Sequence, residues 1–65
     1  MKLLINGEPR TIQAKTLSEL LALLEYQGEW LATAVNGELV HREDRLDHAL
    51  SDNDTIEILS PMQGG

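Results

Sequence analysis

The sequence contains no cysteine. The chain therefore has no disulfide framework, no thiolate metal ligand and no thiol nucleophile of its own. Chemistry at sulfur is excluded unless another molecule supplies the sulfur atom.

Long apolar runs are also missing. The longest, residues 20–24, has five members, whereas a membrane-spanning helix needs about 20 apolar residues. The N-terminus has no signal-peptide pattern either. We therefore expect a cytoplasmic protein without a membrane partner.

Basic residues are few. Lysine and arginine number 5 against 11 acidic residues, which gives a net charge of −6 and opposes contact with a phosphate backbone. We therefore expect no nucleic-acid partner. The same charge would speed encounter with a basic protein surface, and it also helps to keep a small protein soluble.

The composition that is present fits one small folded domain. The chain has 65 residues, 42% of them hydrophobic and 25% charged, a balance typical of globular proteins rather than disordered ones. A domain of this size buries only about 60% of the surface of its unfolded chain. Its core must therefore be small.

Two Asn-Gly pairs, Asn6-Gly7 and Asn36-Gly37, each separate two short apolar runs. Asn-Gly supplies the two positive-φ residues of a type I′ turn, so each pair predicts a β-hairpin. Pro9 lacks an amide hydrogen, and the strand that it opens must lie at a sheet edge. The predicted strands cover residues 2–5, 9–13, 31–35 and 38–40.

A helix is predicted to begin at Thr16. The Thr16 hydroxyl can accept the amide of Glu19, while the Glu19 carboxylate can accept the amide of Thr16, which is a capping box. Leucines then follow at i, i+3, i+4 and i+7 and form one apolar stripe. Gly28 is the predicted stop. The stripe consists of Leu17, Leu20, Leu21 and Leu24.

The second half of the chain contains a crossover, a turn and a last strand. Residues 42–50 are mostly polar and indicate a short helix or an irregular crossover. Residues 52–54 predict a turn in which Asn53 adopts positive φ. Residues 55–59 alternate as a strand that directs its two isoleucines to the core. Trp30, ahead of the second hairpin, is expected to half cover the edge of the core.

One amphipathic helix can cover only one face of one small sheet. The first hairpin and the last strand must then share that sheet, with the last strand beside the first and parallel to it. This is the β-grasp arrangement, and the predicted fold class is α+β, a mixed sheet packed on one main helix. The other face is expected to expose apolar surface near Leu4, Leu59 and Met62, which often marks a docking site.

The last residues indicate a tail rather than part of the fold. Pro61 lacks an amide hydrogen and ends the pairing of the last strand. Gly64 and Gly65 have no Cβ, so the backbone fits a narrow slot with the α-carboxylate of Gly65 leading. We predict a β-grasp domain over residues 1–60 and a flexible Gly-Gly tail over residues 61–65, with a frayed terminus as the plainer alternative.

Side chains inside the predicted fold offer little independent chemistry. His41 and His48 are seven residues apart without a cysteine, so no zinc site is predicted. No nucleophile and base set and no phosphate loop is present, and the chain is not predicted to be an enzyme. Carboxylates in the second half lack the spacing of a calcium loop and are interpreted as a solvated acidic face of Glu43, Asp44, Asp47, Asp52 and Asp54.

Several segments together carry a resemblance to one known family. In their order and spacing they resemble ThiS, the ubiquitin-like sulfur carrier family of thiamine biosynthesis. The chain departs from that family at His41, Arg45 and Asn53, where proline, an aromatic residue and glycine are more usual. The segments are Ile5-Asn6-Gly7-Glu8, Thr16-Leu17-Ser18-Glu19-Leu20-Leu21, Ala34-Val35-Asn36-Gly37-Glu38-Leu39-Val40, Asp54-Thr55-Ile56-Glu57-Ile58 and Gly64-Gly65.

The resemblance implies a reaction at Gly65. A ThiF-type adenylyltransferase, related to the enzymes that activate ubiquitin, would join the Gly65 carboxylate to AMP. A sulfur donor such as a cysteine desulfurase would supply the sulfur of a thiocarboxylate, which thiazole synthase would receive. Gly64 would give clearance, and Leu59, Met62 and Gln63 would contact the partner. ATP and magnesium would belong to the partner, so this chain is expected to hold no cofactor and no metal.

Other functions are open at this point. The tail also resembles that of the small subunit of molybdopterin synthase, and a sulfur carrier for tRNA thiolation would use the same chemistry. The chain could also be a ubiquitin-like modifier whose Gly65 forms an amide with lysine. A fourth reading is a β-grasp interaction module with an incidental tail.

Overall fold

The computed structural model describes residues 1–26 and 30–60. In these residues no helix has the length and apolarity that a membrane crossing requires. The elements follow one another as β1 (Lys2–Ile5), β2 (Glu8–Thr11), α1 (Leu17–Leu23), β3 (Ala32–Val35), β4 (Glu38–Val40), a 3₁₀ helix (Arg42–Asp44) and β5 (Thr55–Leu59).

The strands form one mixed sheet in the order β2-β1-β5-β3-β4. β5 runs parallel to β1 and antiparallel to β3, so the last strand lies at the centre beside the first. The predicted α+β class and β-grasp arrangement are confirmed. β2 is an edge strand, as Pro9 requires, but it starts earlier and ends earlier than predicted, because Glu8 already pairs with Ile5 across the turn.

The two predicted Asn-Gly turns are confirmed by their backbone angles. Asn6 and Gly7 have φ of 51° and 84°, and Asn36 and Gly37 have φ of 54° and 85°. A Cβ at either glycine would meet nothing within 4 Å. Glycine is therefore favoured at these two positions by the dihedral angle and not by a lack of space.

The core lies between α1 and one face of the sheet. Leu17 and Leu20 are fully buried and Leu21 is nearly so, whereas Leu24 is half-buried at the end of the helix. The predicted leucine stripe is confirmed. The remaining buried apolar side chains come from the strands and the flanking loops, and they are Leu3, Ile5, Ala14, Val35, Val40, Leu50, Ile56 and Ile58.

The start of α1 is capped as predicted on one side only. The Thr16 Oγ1 accepts the amide of Glu19 at 3.2 Å. The Glu19 carboxylate accepts the amide of Lys15 at 2.9 Å, one residue before the predicted partner. Thr16 is held extended in an isolated antiparallel bridge with Ala49, and this bridge fixes the chain so that the Lys15 amide lies within reach of the carboxylate.

The end of α1 differs from the prediction. The helix ends at Leu23, before Gly28, which itself lies outside the described residues. Glu25 takes the left-handed position with φ of 64°. Its amide donates to the Ala22 carbonyl at 3.1 Å, and the amide of Tyr26 donates to the Leu21 carbonyl at 2.9 Å. This pair of hydrogen bonds is a Schellman motif with glutamate where glycine is usual.

Glu25→Gly is therefore expected to stabilise the protein by about 1 kcal/mol, because a side chain in the left-handed region costs about 1–2 kcal/mol and glycine pays part of this back in backbone entropy. The shift in the urea midpoint measures the effect. Glu25→Ala is the matched control, since it removes the same charge but keeps Cβ. Equal midpoints for the two variants would show that charge, not backbone conformation, governs this position.

Two expectations outside the sheet need correction or refinement. Trp30 is 72% exposed and does not cover the core edge. Leu24, Tyr26 and Leu31 pack there instead, so no apolar surface is left for the indole to cover. The crossover opens with the single 3₁₀ turn of Arg42–Asp44 and continues irregularly, which is the second of the two predicted forms.

Candidate functional site

The sheet face opposite α1 carries an apolar groove. Leu4 is 37% exposed, Leu39 64% and Leu59 70%, and these side chains line the groove together with Ala32 and Ala34. The strand register places Ala32 opposite Leu59 and Ala34 opposite Leu39. The predicted open face is thus confirmed at Leu4 and Leu59. Leu39 was missed, although Val40 points inward and strand alternation makes its neighbour point outward.

Glu57 is the one charged side chain among the described residues that line this groove. It lies on β5 directly opposite Ala34 of β3. A methyl group beside the carboxylate leaves it open to a partner. The open face, defined here as Leu4, Leu39, Glu57 and Leu59, therefore combines apolar contact area with one negative charge.

β5 leads from the centre of the sheet toward the predicted tail. Its last residue, Leu59, pairs with Ala32 of β3, and Ser60 follows half-buried. The other predicted site residues, Met62, Gln63, Gly64 and Gly65, lie outside the described residues. The structure therefore gives the strand from which they continue, and of the predicted partner contacts it places only Leu59.

The side chain of Asn6 extends the pairing of β1 with β5. The two strands pair as far as Ile5 and Ile56, and the Asn6 amide still donates to the Ile56 carbonyl at 2.9 Å. Beyond that point the carboxamide replaces a strand residue. The Ile58 amide donates to Asn6 Oδ1 at 2.8 Å, and Asn6 Nδ2 donates to the Ile58 carbonyl at 3.1 Å.

Asn36 makes comparable bonds at the opposite end of β5. The Thr55 amide donates to Asn36 Oδ1 at 2.9 Å, and Asn36 Nδ2 donates to Asp54 Oδ1 at 2.9 Å. The second carboxylate oxygen of Asp54 accepts the Ser51 amide, and Asp52 accepts the Lys2 amide. These two aspartates fix the turn before β5, so assigning them to a solvated acidic face was wrong.

Arg45 is the buried charge of the described structure, at 7% exposure. Its Nε donates to Thr33 Oγ1 at 2.9 Å, and its Nη2 donates to the Leu31 carbonyl at 2.7 Å. The Thr33 hydroxyl in turn donates to the Val40 carbonyl at 2.8 Å. Burial lowers the pKa of Arg45 below its ordinary value, and the nearby Arg42 lowers it further. The guanidinium remains charged and ties the crossover to β3 and β4.

The described residues contain no group of three or more side chains that could hold a metal ion. His41 is exposed and His48 half-buried, while Glu43, Asp44 and Asp47 are exposed. No carboxylate or histidine lies in an enclosed apolar cavity that would tune it for acid or base catalysis. In the part of the chain that the structure describes, the chemical resources are therefore a docking face and a strand that leads to a terminal glycine pair.

A mixed sheet, one packed α-helix within the described residues and a central last strand leading to Gly64-Gly65 define a ubiquitin-like carrier protein of the β-grasp fold. A family model described as the ThiS family matches residues 3–65. The chain belongs to the ThiS family.

Individual relatives agree with this membership over nearly their whole length. The sulfur carrier protein ThiS of Thermus thermophilus is 36% identical over 61 residues, which are 94% of this chain and 95% of the relative. The crystal structure of the thiamine biosynthesis protein ThiS of Geobacter metallireducens has a TM-score of 0.82 at 36% identity, with 100% of both chains covered. A solution NMR structure of a thiamine biosynthesis protein from Geobacter metallireducens has a TM-score of 0.82 at 33% identity, covering 100% of this chain and 88% of that one.

Proposed function

We propose that this chain is a sulfur carrier of thiamine biosynthesis that carries sulfur as a thiocarboxylate on Gly65. The observation that carries the proposal is the family match, which runs through residue 65 and so includes Gly64-Gly65. The Thermus relative is named as a sulfur carrier, and the Geobacter structure as a thiamine biosynthesis protein. Such a carrier is a protein on which enzymes act and is not itself an enzyme.

The proposed chemistry begins with a carboxylate that is a poor electrophile. An adenylyltransferase of the ThiF type, using ATP and magnesium, would transfer AMP to the Gly65 carboxylate and release pyrophosphate. Hydrosulfide then attacks the acyl carbon and AMP leaves, so that a thiocarboxylate forms. A cysteine desulfurase persulfide gives the same product through an acyl disulfide that a thiol reduces. Thiazole synthase is the proposed acceptor, and the cytoplasm the proposed location.

The open face supports docking of the adenylating partner. Leu4, Leu39 and Leu59 offer apolar area on the strands that flank the tail exit. Glu57 lies among them, and the whole chain carries a charge of −6, so the fitting partner surface is apolar with a basic side chain opposite Glu57. From Ser60, the five residues 61–65 drawn fully extended would reach at most about 18 Å. The partner's adenylation site must lie within that distance of the docked sheet.

The proposal is tested by the mass of the protein isolated from its own cells. A thiocarboxylate adds the mass difference between sulfur and oxygen, and tandem fragmentation must place it on Gly65. Treatment with iodoacetamide should then alkylate the chain, which has no cysteine to compete. Recovery of Gly65 joined to lysines would establish a modifier instead. An unmodified terminus, isolated from cells starved of thiamine, would leave an interaction module.

Leu59→Ser is expected to raise the KM for the carrier in adenylation about tenfold, which corresponds to about 1.4 kcal/mol of lost contact at a partly buried anchor. Leu46→Ser is the matched control, because Leu46 and Leu59 are both 70% exposed and Leu46 does not line the groove. Steady-state ATP–pyrophosphate exchange gives both KM values. Equal KM values for the two variants would place the docking surface elsewhere.

A further inference from the structure

The carboxamide of Asn6 has no counterpart in the turn chemistry for which Asn-Gly is selected. A type I′ turn needs positive φ at Asn6 and makes no demand on the side chain. In this chain the side chain nevertheless forms two hydrogen bonds with one residue, Ile58, at 2.8 and 3.1 Å. The function of these bonds must therefore be sought in β5.

Ile58 is where β5 would otherwise lose its partner on the β1 side. The backbone of β1 turns away after Ile5, while β3 continues to pair with β5 as far as Leu59. Without the carboxamide, the amide and carbonyl of Ile58 would have no strand partner on that side, and the last turn of pairing would rest on β3 alone. Ends of strands bonded on one side fray more readily than central ones.

We propose that Asn6 is a positioning residue for the C-terminal glycine: its carboxamide holds the end of β5, and so sets the point from which the chain departs toward the adenylation site. The inference rests on the proposed function and deepens it. Ile58 stands seven residues before Gly65. Release of Ile58 and Leu59 from the sheet would move the origin of the reaching segment by two residues, about 7 Å of extended chain.

A shift of the origin changes catalysis rather than docking. The partner still meets Leu4 and Leu39, whose strands do not depend on the carboxamide. The Gly65 carboxylate, however, would be delivered from a looser and longer tether, and a misplacement of about 1 Å at a reacting centre can cost about a hundredfold in rate. The effect of losing Asn6 should therefore fall on kcat more than on KM.

Asn6→Gly isolates this role. Glycine accepts the φ of 51° at this turn, so the substitution removes the carboxamide and keeps the turn. Asn36→Gly is the matched control: it keeps the second turn and removes the equivalent carboxamide at Thr55, the end of β5 away from the tail. Asn6→Asp is the second variant, used if the first does not fold. It retains an acceptor for the Ile58 amide but puts an oxygen in place of the Nδ2 donor.

The measurements are ATP–pyrophosphate exchange at saturating carrier and amide hydrogen exchange. For Asn6→Gly and Asn6→Asp we expect kcat to fall at least tenfold, KM to change less than threefold, and the Ile58 amide to exchange at least tenfold faster than the Ile56 amide changes. For Asn36→Gly we expect kcat within twofold of the unsubstituted protein, with any loss confined to the unfolding midpoint.

The outcomes separate the two levels of the proposal. A kcat within twofold for folded Asn6→Gly, or an equal loss of kcat for Asn36→Gly, overturns the positioning role. If deletion of Gly65 abolishes exchange in the same assay, the sulfur-carrier function then stands without it. If deletion of Gly65 leaves exchange unchanged, the proposed function itself fails, whatever the Asn6 variants show.

Discussion

Replacement of Leu20 by alanine is expected to lower the free energy of unfolding by about 2–5 kcal/mol, as large-to-small changes at packed leucines do. Leu20 is completely buried in the middle of α1, where its side chain fills the space between the helix and the sheet. At about 0.05–0.15 kcal/mol per residue, a domain of this size has only a few kcal/mol in total. The variant should therefore be largely unfolded, or close to it, at 37 °C in the absence of a partner.

Leu23→Ala separates the cavity from the change of residue type. Leu23 lies in the same helix but is 59% exposed, and leucine and alanine differ little in helix propensity. Urea denaturation followed by far-UV circular dichroism should show a large loss of midpoint for Leu20→Ala and a small change for Leu23→Ala. Equal midpoints for the two variants would contradict the assignment of Leu20 to the core.

The sheet and helix could be predicted because their signals are local. Asn36-Gly37 requires positive φ at both residues, and a two-residue turn fixes the pairing of the strands beside it. The leucine spacing of α1 fixes which side is buried. Once one helix and two hairpins are placed, only a few sheet orders bury the apolar face of each, and the parallel pairing of β1 with β5 follows from that small choice.

The fate of Arg45 could not be predicted in the same way. In sequence it stands in a polar stretch, which predicts exposure. In the structure the carbonyl of Leu31 lies before β3 begins and the hydroxyl of Thr33 is turned inward, and together they accept two donors of the guanidinium. A buried cation is tolerated only where its donors are satisfied. Whether such oxygens converge depends on tertiary contacts 12 and 14 residues away in the chain.

The same limit applies to the site. Asn6 and Asn36 were recognised for their backbone angles, which are local, but their carboxamides bond residues 52 and 19 positions away. The end of α1 was misplaced for a related reason: Glu25 adopts the left-handed conformation without glycine, because the two Schellman hydrogen bonds satisfy carbonyls that would otherwise be left open. Patterns of residue type do not encode either event.

Deletion of Gly65 is expected to reduce adenylation at least a hundredfold. The deletion withdraws the terminal carboxylate by about 3.5 Å, one residue of extended chain, whereas about 1 Å of misplacement already costs about a hundredfold in rate. Gly64→Ala should have a smaller effect of about 10–200-fold, since one added methyl group in a fitted slot is worth about 1–3 kcal/mol.

Neither change should affect folding, because the described core is built from residues 3–58 and includes no part of the glycine pair. Thermal midpoints equal to that of the unsubstituted protein are the control, and ATP–pyrophosphate exchange with the cognate adenylating enzyme is the assay. The order of effects matters as much as their size: a slot fitted to bare backbone requires the deletion to be the more severe. If the deletion variant exchanges as fast as the full chain, Gly65 is not the reacting end, and an interaction module becomes the better account of the open face.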